Sequence, residues 1–514
     1  MRRLITVFLV SLCAFTAFAA VQPAGVFTDG AVLQQGEPVR IWGTAAAGEK
    51  VTVLFADQTE ETVADETGRW MVALKAMPAC AEGRTLVLKG SQTAAPVELK
   101  DILVGEVWLA GGQSNMQYSM KGFKPTTQPD INSANDPLLR MVTIAEKLYE
   151  SQPSARPQWA ASTPDNVANF SASAYYFAKN LRETLKVPVG IVSCSLGGTP
   201  AEAWMSRKTL ENHPDLKRTI ETYDQNYRAN FTNEADYVKY LEAYPAAVKE
   251  WERKQAAGEK PGPKPDMKIG PRFKNRPCGL HENMLSQTIP YTVKGVIWYQ
   301  GENNAANGFH YRTVFPALIK EWREEFRNEN LPFLFVQLAA YGPATEKSAA
   351  WPELRESQSW TEDHVQNSGM IVLTDGGDIK NIHPHSKDKV GYRLSLLARQ
   401  MVYGETNLIC RGPRLAKAEA KSGAIELSFK DTGSGLVLKP EAVSAFEICG
   451  ADGTYVPAAA RLADGKILVS AAGVASPKFV RYGWKKWFVP TLFNAEGLPA
   501  SPFRTDDFPP TTRR

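Results

Sequence analysis

Residues Val104–Ala110 (VGEVWLA) form a short apolar run rich in β-branched and aromatic side chains, and Gly111-Gly112-Gln113-Ser114-Asn115-Met116 follows it directly. A run of this kind reads as a buried strand, and the paired glycines end it. A hydroxyl flanked by two amides therefore stands at the tip of a strand, where a substrate can reach the edge of a sheet. Serine in such a place is most often a turn or cap residue, so its meaning depends on what else the chain brings there.

The surrounding pattern is one of alternating strands and helices. Ser171–Leu185 has apolar residues at helical spacing, and Val187–Val192 reads as a buried strand. Gly295–Tyr299, Leu331–Gln337 and Gly369–Leu373 are further strands, with helices at Tyr311–Phe326 and Lys387–Met401. Such alternation predicts an α/β fold with a parallel sheet flanked by helices over residues 102–405. On either side the rhythm is all-β: short strands separated by turns recur across 21–101 and again across 406–514, each predicting a β-sandwich region. Residues 205–268 break the alternation. They are polar and helix-prone and end in a Pro-rich run, which reads as a helical insertion, either a lid or a solvated decoration.

Charge and cysteine content narrow the class. The formal net charge is +4, and two of those charges, Arg2 and Arg3, belong to a segment with the three parts of a secretory signal. Met1–Ala20 carries those arginines, an apolar stretch from Leu4 to Phe18, and Ala17-Phe18-Ala19 as a cleavage site. The remaining chain is nearly balanced and has no long basic tract, which argues against a nucleic-acid partner. No later stretch is apolar for long enough to span a bilayer. The expected protein is exported, to the periplasm or beyond. Cys80, Cys194, Cys278, Cys410 and Cys449 are odd in number and widely spaced, so mostly buried free thiols are expected, with no cysteine metal pattern.

Three other blocks fall at strand ends. Ser193-Cys194-Ser195-Leu196-Gly197-Gly198-Thr199 follows the strand ending at Val192, with glycines that let a backbone N–H approach a ligand. Trp298-Tyr299-Gln300-Gly301-Glu302-Asn303-Asn304 closes another strand and offers a neutral amide donor in Asn303. Asp375–His385 holds two of the six histidines, His383 and His385, in one loop. Strand-to-helix loops of a parallel sheet open on one edge, so the four blocks should converge.

With these residues together, the chain resembles the SGNH hydrolase superfamily and, within it, the sialate O-acetylesterase family. Gly112-Gln113-Ser114-Asn115-Met116 is similar to that family's first block. Gly197-Gly198-Thr199 with Ala201–Trp204 corresponds to the second, Trp298–Asn303 to the third and Ile382-His383-Pro384 to the last. Trp351, Arg355 and Gln358 fit a further family stretch, as does Glu496–Arg504. The resemblance covers the chain apart from its leader and the insertion. It implies Ser114 as nucleophile, His383 as base, and an oxyanion hole from the N–H groups of Ser114 and Gly198 with the Asn303 amide. Gln113, Gln300 and Glu302 are the implied substrate-binding residues. Neither a metal nor an organic cofactor is implied.

Two features depart from related patterns. The first block lacks the second glycine of a Gly-x-Ser-x-Gly elbow, which disfavours the α/β-hydrolase fold. The aspartate that commonly stands three residues before the histidine is Lys380 here, and the position two before it is Asn381. Asp378 is then the first candidate to orient His383, with a backbone carbonyl the alternative and Asp375 and Glu302 behind them. The expected activity is removal of O-acetyl groups from sialic acid by an exported serine esterase. An esterase for acetylated xylan and a non-catalytic glycan-binding protein are the alternatives.

Overall fold

The computed structural model describes residues 20–343, 348–440 and 444–513, so the expected leader lies almost wholly outside the described residues. The central sheet is built from β1 (Val97–Gly112), β2 (Asp136–Thr143), β3 (Trp159–Ser162), β4 (Val189–Ser195), β5 (Gly295–Tyr299), β6 (Phe333–Val336) and β7 (Ser368–Ile371). Their spatial order is β3-β2-β4-β1-β5-β6-β7. All neighbours are parallel except β3, which pairs antiparallel with β2 at the edge. Strands β4 to β7 are buried along their whole length, as helix-covered parallel strands must be.

The flanking helices include α1 (Ser114–Gln117), α2 (Ala172–Leu185), α3 (Tyr311–Glu325), α4 (Ala350–His364) and α5 (Lys387–Met401). Because β4 lies on one side of β1 and β5 on the other, the topological switch falls at the carboxyl end of β1. A sheet of this kind binds its ligands in the crevice at that point. Ser114 follows that end directly.

Two features of the sheet differ from the sequence reading. The boundary at residue 101 falls inside β1. The first part of that strand pairs antiparallel with Cys80–Gly90 and parallel with Val32–Gln34, and its last residues run between β4 and β5. One continuous apolar core therefore runs from Val21 to Cys410. The start of β1 mixes exposed and buried residues, unlike its wholly buried end. Strand β2 was not anticipated at all. It opens on Asp136-Pro137 and carries Arg140, whose guanidinium is buried by donating to the carbonyls of Pro137, Gly30 and Asp101.

The C-terminal region has small antiparallel sheets and its own core around Leu427, Ile448, Ile467 and Val480. Arg355 ties it to the central sheet. Fully buried on α4, it donates to the carbonyls of Leu338 and Ala339 on one side and of Lys485 and Lys486 on the other. The insertion is helical, with Arg207–Asn212, Lys217–Asn230 and Glu234–Ala256. All five cysteines among the described residues are free, and four of them are buried. No helix among the described residues is long and apolar enough to cross a membrane.

Candidate active site

The nucleophile turn is made by the glycines that end β1. Gly112 has φ +131°, and a Cβ there would sit 2.2 Å from the Tyr299 carbonyl oxygen, so only glycine fits beside β5. The Gln113 N–H donates to that same carbonyl at 3.0 Å, and the Gln113 carbonyl accepts from Met116 and Gln117. These bonds set Ser114 as the first residue of α1. Its Oγ lies 2.8 Å from His383 Nε2.

His383 reaches that position through a tightly turned loop after β7. Asp378 Oδ1 accepts the N–H groups of Lys380 and Asn381 at 2.8 and 3.1 Å, and Asn381 Oδ1 accepts that of His383 at 2.9 Å. Side chains that mimic a backbone turn in this way fix the loop locally. The Tyr118 ring packs 4.6 Å from the imidazole. Burial, and behind it the ammonium of Lys387, hold His383 below the ordinary histidine range. A base must be unprotonated to act, so activity through His383 is retained down to a lower pH than an ordinary histidine would allow.

The expectation that Asp378 orients His383 is not met. The oxygen it uses is held by the two backbone amides, and no hydrogen bond joins it to the imidazole. The other carboxylates are engaged too: Asp375 pairs with Arg393 and Lys389, and Glu302 accepts from Asn115. Among the described residues, no carboxylate is hydrogen-bonded to His383 Nδ1. The arrangement is a Ser–His pair steered by loop geometry and ring packing. Asp378→Asn, which keeps an acceptor for the turn, is therefore expected to lower kcat on a small acetate ester by less than about tenfold. Loss of a true triad aspartate costs about 10,000-fold, and a fall of that size would restore Asp378 to the triad.

The second block lies against the first. The Gly197 N–H donates to Gln117 Oε1 at 2.8 Å, and Asn303 Nδ2 donates to the Gly198 carbonyl at 2.9 Å. Gly198 has φ +71°, a left-handed conformation that a side chain would strain. No described hydrogen bond consumes the backbone N–H of Ser114 or of Gly198. Those two donors and the exposed Asn303 amide border the same cleft. Gln113 also lines it, and its Oε1 accepts the Asn303 N–H at 3.3 Å.

Gln300, expected to bind substrate, does not line the cleft. It is fully buried, donates to the Thr199 carbonyl and to Asn304 Oδ1, and accepts from the Tyr311 hydroxyl. Its polar atoms are all engaged inside the protein, so it braces the second block against the third. Glu302 borders the cleft, but its Oε1 faces Asn115 and its Oε2 is buried without a partner.

The cleft is open and has a volume of about 560 Å³. Lys274, which sequence reading passed over, lines it and donates from Nζ to the Gly197 carbonyl at 2.7 Å. No residue of the 205–268 insertion does, so the lid reading gains no support from the cleft wall. Lys387 was also missed. Its signal was a lysine placed in register with Val390, Gly391 and Leu394 on the buried side of a helix. Away from the cleft, His281, Glu321 and Glu325 have donor atoms close enough to share a cation. His281 Nε2 already bridges both Glu325 oxygens, and Glu321 accepts from Ser206 and Thr209.

A hydroxyl bonded to an imidazole, beside converging amide donors at the switch point of a parallel sheet, is a site equipped for acyl transfer. Comparison with known proteins agrees. The profile of the family described as carbohydrate esterase, sialic acid-specific acetylesterase matches residues 104–231 and 276–402. Sialate O-acetylesterases of Mus musculus and Homo sapiens are each 29% identical, over 93% of this chain and 93% and 91% of theirs. The crystal structure of a carbohydrate acetylesterase from Xanthomonas citri is 34% identical, with a TM-score of 0.78, over 95% of this chain and all of that one. The chain belongs to this carbohydrate esterase family of sialic acid-specific acetylesterases. It is a carboxylic ester hydrolase.

Proposed function

We propose that the protein is an exported sialate O-acetylesterase of the SGNH type that works through an acyl-enzyme. The observation that carries the reaction is the 2.8 Å contact between Ser114 Oγ and His383 Nε2 at the cleft. His383 Nε2 takes the Ser114 proton as Oγ attacks the acetyl carbonyl carbon. The oxyanion accepts from the N–H groups of Ser114 and Gly198 and from the proton of Asn303 Nδ2 not bound to Gly198. His383 then passes its proton to the departing sugar oxygen. In the second half His383 takes a proton from water, whose oxygen attacks the acetyl-serine. Acetate leaves, and the proton returns to Ser114.

Two observations support a sialic acid as the alcohol part. One is the family match. The other is Lys274, which supplies the ammonium among the cleft-lining residues and suits the carboxylate of an acidic sugar. Export is supported by the composition of residues 1–20.

The test compares acetate release from O-acetylated sialic acid and from acetylated xylan by the wild type and Lys274→Gln. Sialate should be the better substrate. The substitution should raise its KM about tenfold, in line with loss of a charge-assisted hydrogen bond, while a small neutral ester is unaffected. Equal or faster release from xylan would overturn the sialate reading. A loss shared by the neutral ester would mean that Lys274 only supports the Gly197–Gly198 loop.

A further inference from the structure

Beneath the Ser114–His383 pair lies a buried polar cluster that the reaction as described does not use. Asn115 is 1% exposed. Its Nδ2 donates to Glu302 Oε1 and, at 3.1 Å, to the Ile382 carbonyl, while its Oδ1 accepts from Lys387 Nζ. Lys387 is fully buried at the start of α5, with its ammonium over the faces of Phe123 and Tyr299 at 5.0 and 5.3 Å. Among the described residues it has no ion pair.

A buried ammonium without a paired carboxylate is costly, so its persistence calls for an account. The rings attract it through their faces. The Asn115 amide then stands between it and Glu302, polarised from both ends. Burial drives the Lys387 ammonium down to about 7, against the pull of Glu302. Burial also raises the Glu302 carboxyl, against the Asn115 hydrogen bond.

Four segments meet at this amide. Asn115 adjoins Ser114, Glu302 belongs to the block after β5, Ile382 precedes His383, and Lys387 opens the helix behind the loop. We propose that Lys387 is a positioning residue for the hydrolysis: through Asn115 it fastens the His383 loop to the nucleophile turn. The groups that face His383 are Ser114 and Tyr118 from the nucleophile turn and Lys387 from α5. Asp375, Asp378, Lys380 and His385 lie in its own loop, and Glu146, Glu302 and Lys274 border the same cleft. Of these, Lys387 is the charge that lowers the imidazole. The proposal rests on Ser114 and His383 acting as described above.

The test uses the full chain and a small neutral acetate ester, so that it does not depend on which sugar is the substrate. Lys387→Met keeps the length and apolar character of the stem. It should lower kcat about tenfold with KM nearly unchanged, and it should move the acid limb of the kcat/KM profile to higher pH. The sign follows because removing a positive charge makes His383 easier to protonate. A fall in kcat with an unmoved limb would reduce Lys387 to a packing role, and no change in either would overturn the proposal. Should the variant not fold, Lys387→Gln, which can still donate to Asn115 but carries no charge, provides the second measurement. Its acid limb should also move to higher pH, and an unmoved limb with unchanged kcat would overturn the proposal.

Discussion

Ser114→Ala should lower turnover of a small activated acetate ester by about 10,000-fold or more while leaving the folded protein intact. The size follows from what is lost. The substitution removes one oxygen, and the Ser114 backbone N–H, the Gly198 loop and Asn303 all stay in place. The residual rate is then that of water attacking an acetyl group held beside amide donors. The fold should not suffer, because the serine Oγ has the His383 contact as its one described hydrogen bond. Gly112, Gln113 and the β5 carbonyl hold the turn without it. Retention of a tenth of wild-type turnover would rule out Ser114 as nucleophile.

Asn303→Ala should lower kcat by about 100- to 1000-fold with a smaller effect on KM, as loss of one oxyanion donor does. The alanine removes an amide that is exposed at the cleft and fixed by its bond to the Gly198 carbonyl. The surroundings survive, since the residue's backbone N–H remains on Gln113 Oε1. The measurement is steady-state kinetics on the same small ester. An effect confined to KM would make Asn303 a substrate-binding side chain and leave two backbone donors to form the hole.

Sequence reading found the four blocks because each puts glycine and polar residues at the end of a buried strand, and because together they match one family although each alone reads as an ordinary turn. It failed where side chains are turned inward by local geometry. Gln300 looked available for substrate because it follows a strand, yet Thr199, Asn304 and Tyr311 enclose it. Asp378 looked like a triad member by proximity to His383, but an aspartate two residues before a backbone N–H tends to close its own turn. Nothing in the string distinguishes those fates. Lys387 read as an ordinary helix start, and its meaning depends on aromatic faces contributed by Phe123 and Tyr299, far away in sequence. Strand β2 was hidden by Pro137 and Arg140, and the arginine is tolerated because β1 and the N-terminal region receive it.

The central claim is that acetyl passes through Ser114. Wild-type enzyme mixed with excess activated acetate ester, quenched in acid within the first turnover and digested, should yield the peptide containing Ser114 carrying one acetyl group. The same peptide from Ser114→Ala should carry none. A burst of released alcohol with the acetyl group on another residue, or rapid hydrolysis with no acetylated peptide and no burst, would contradict the acyl-serine account.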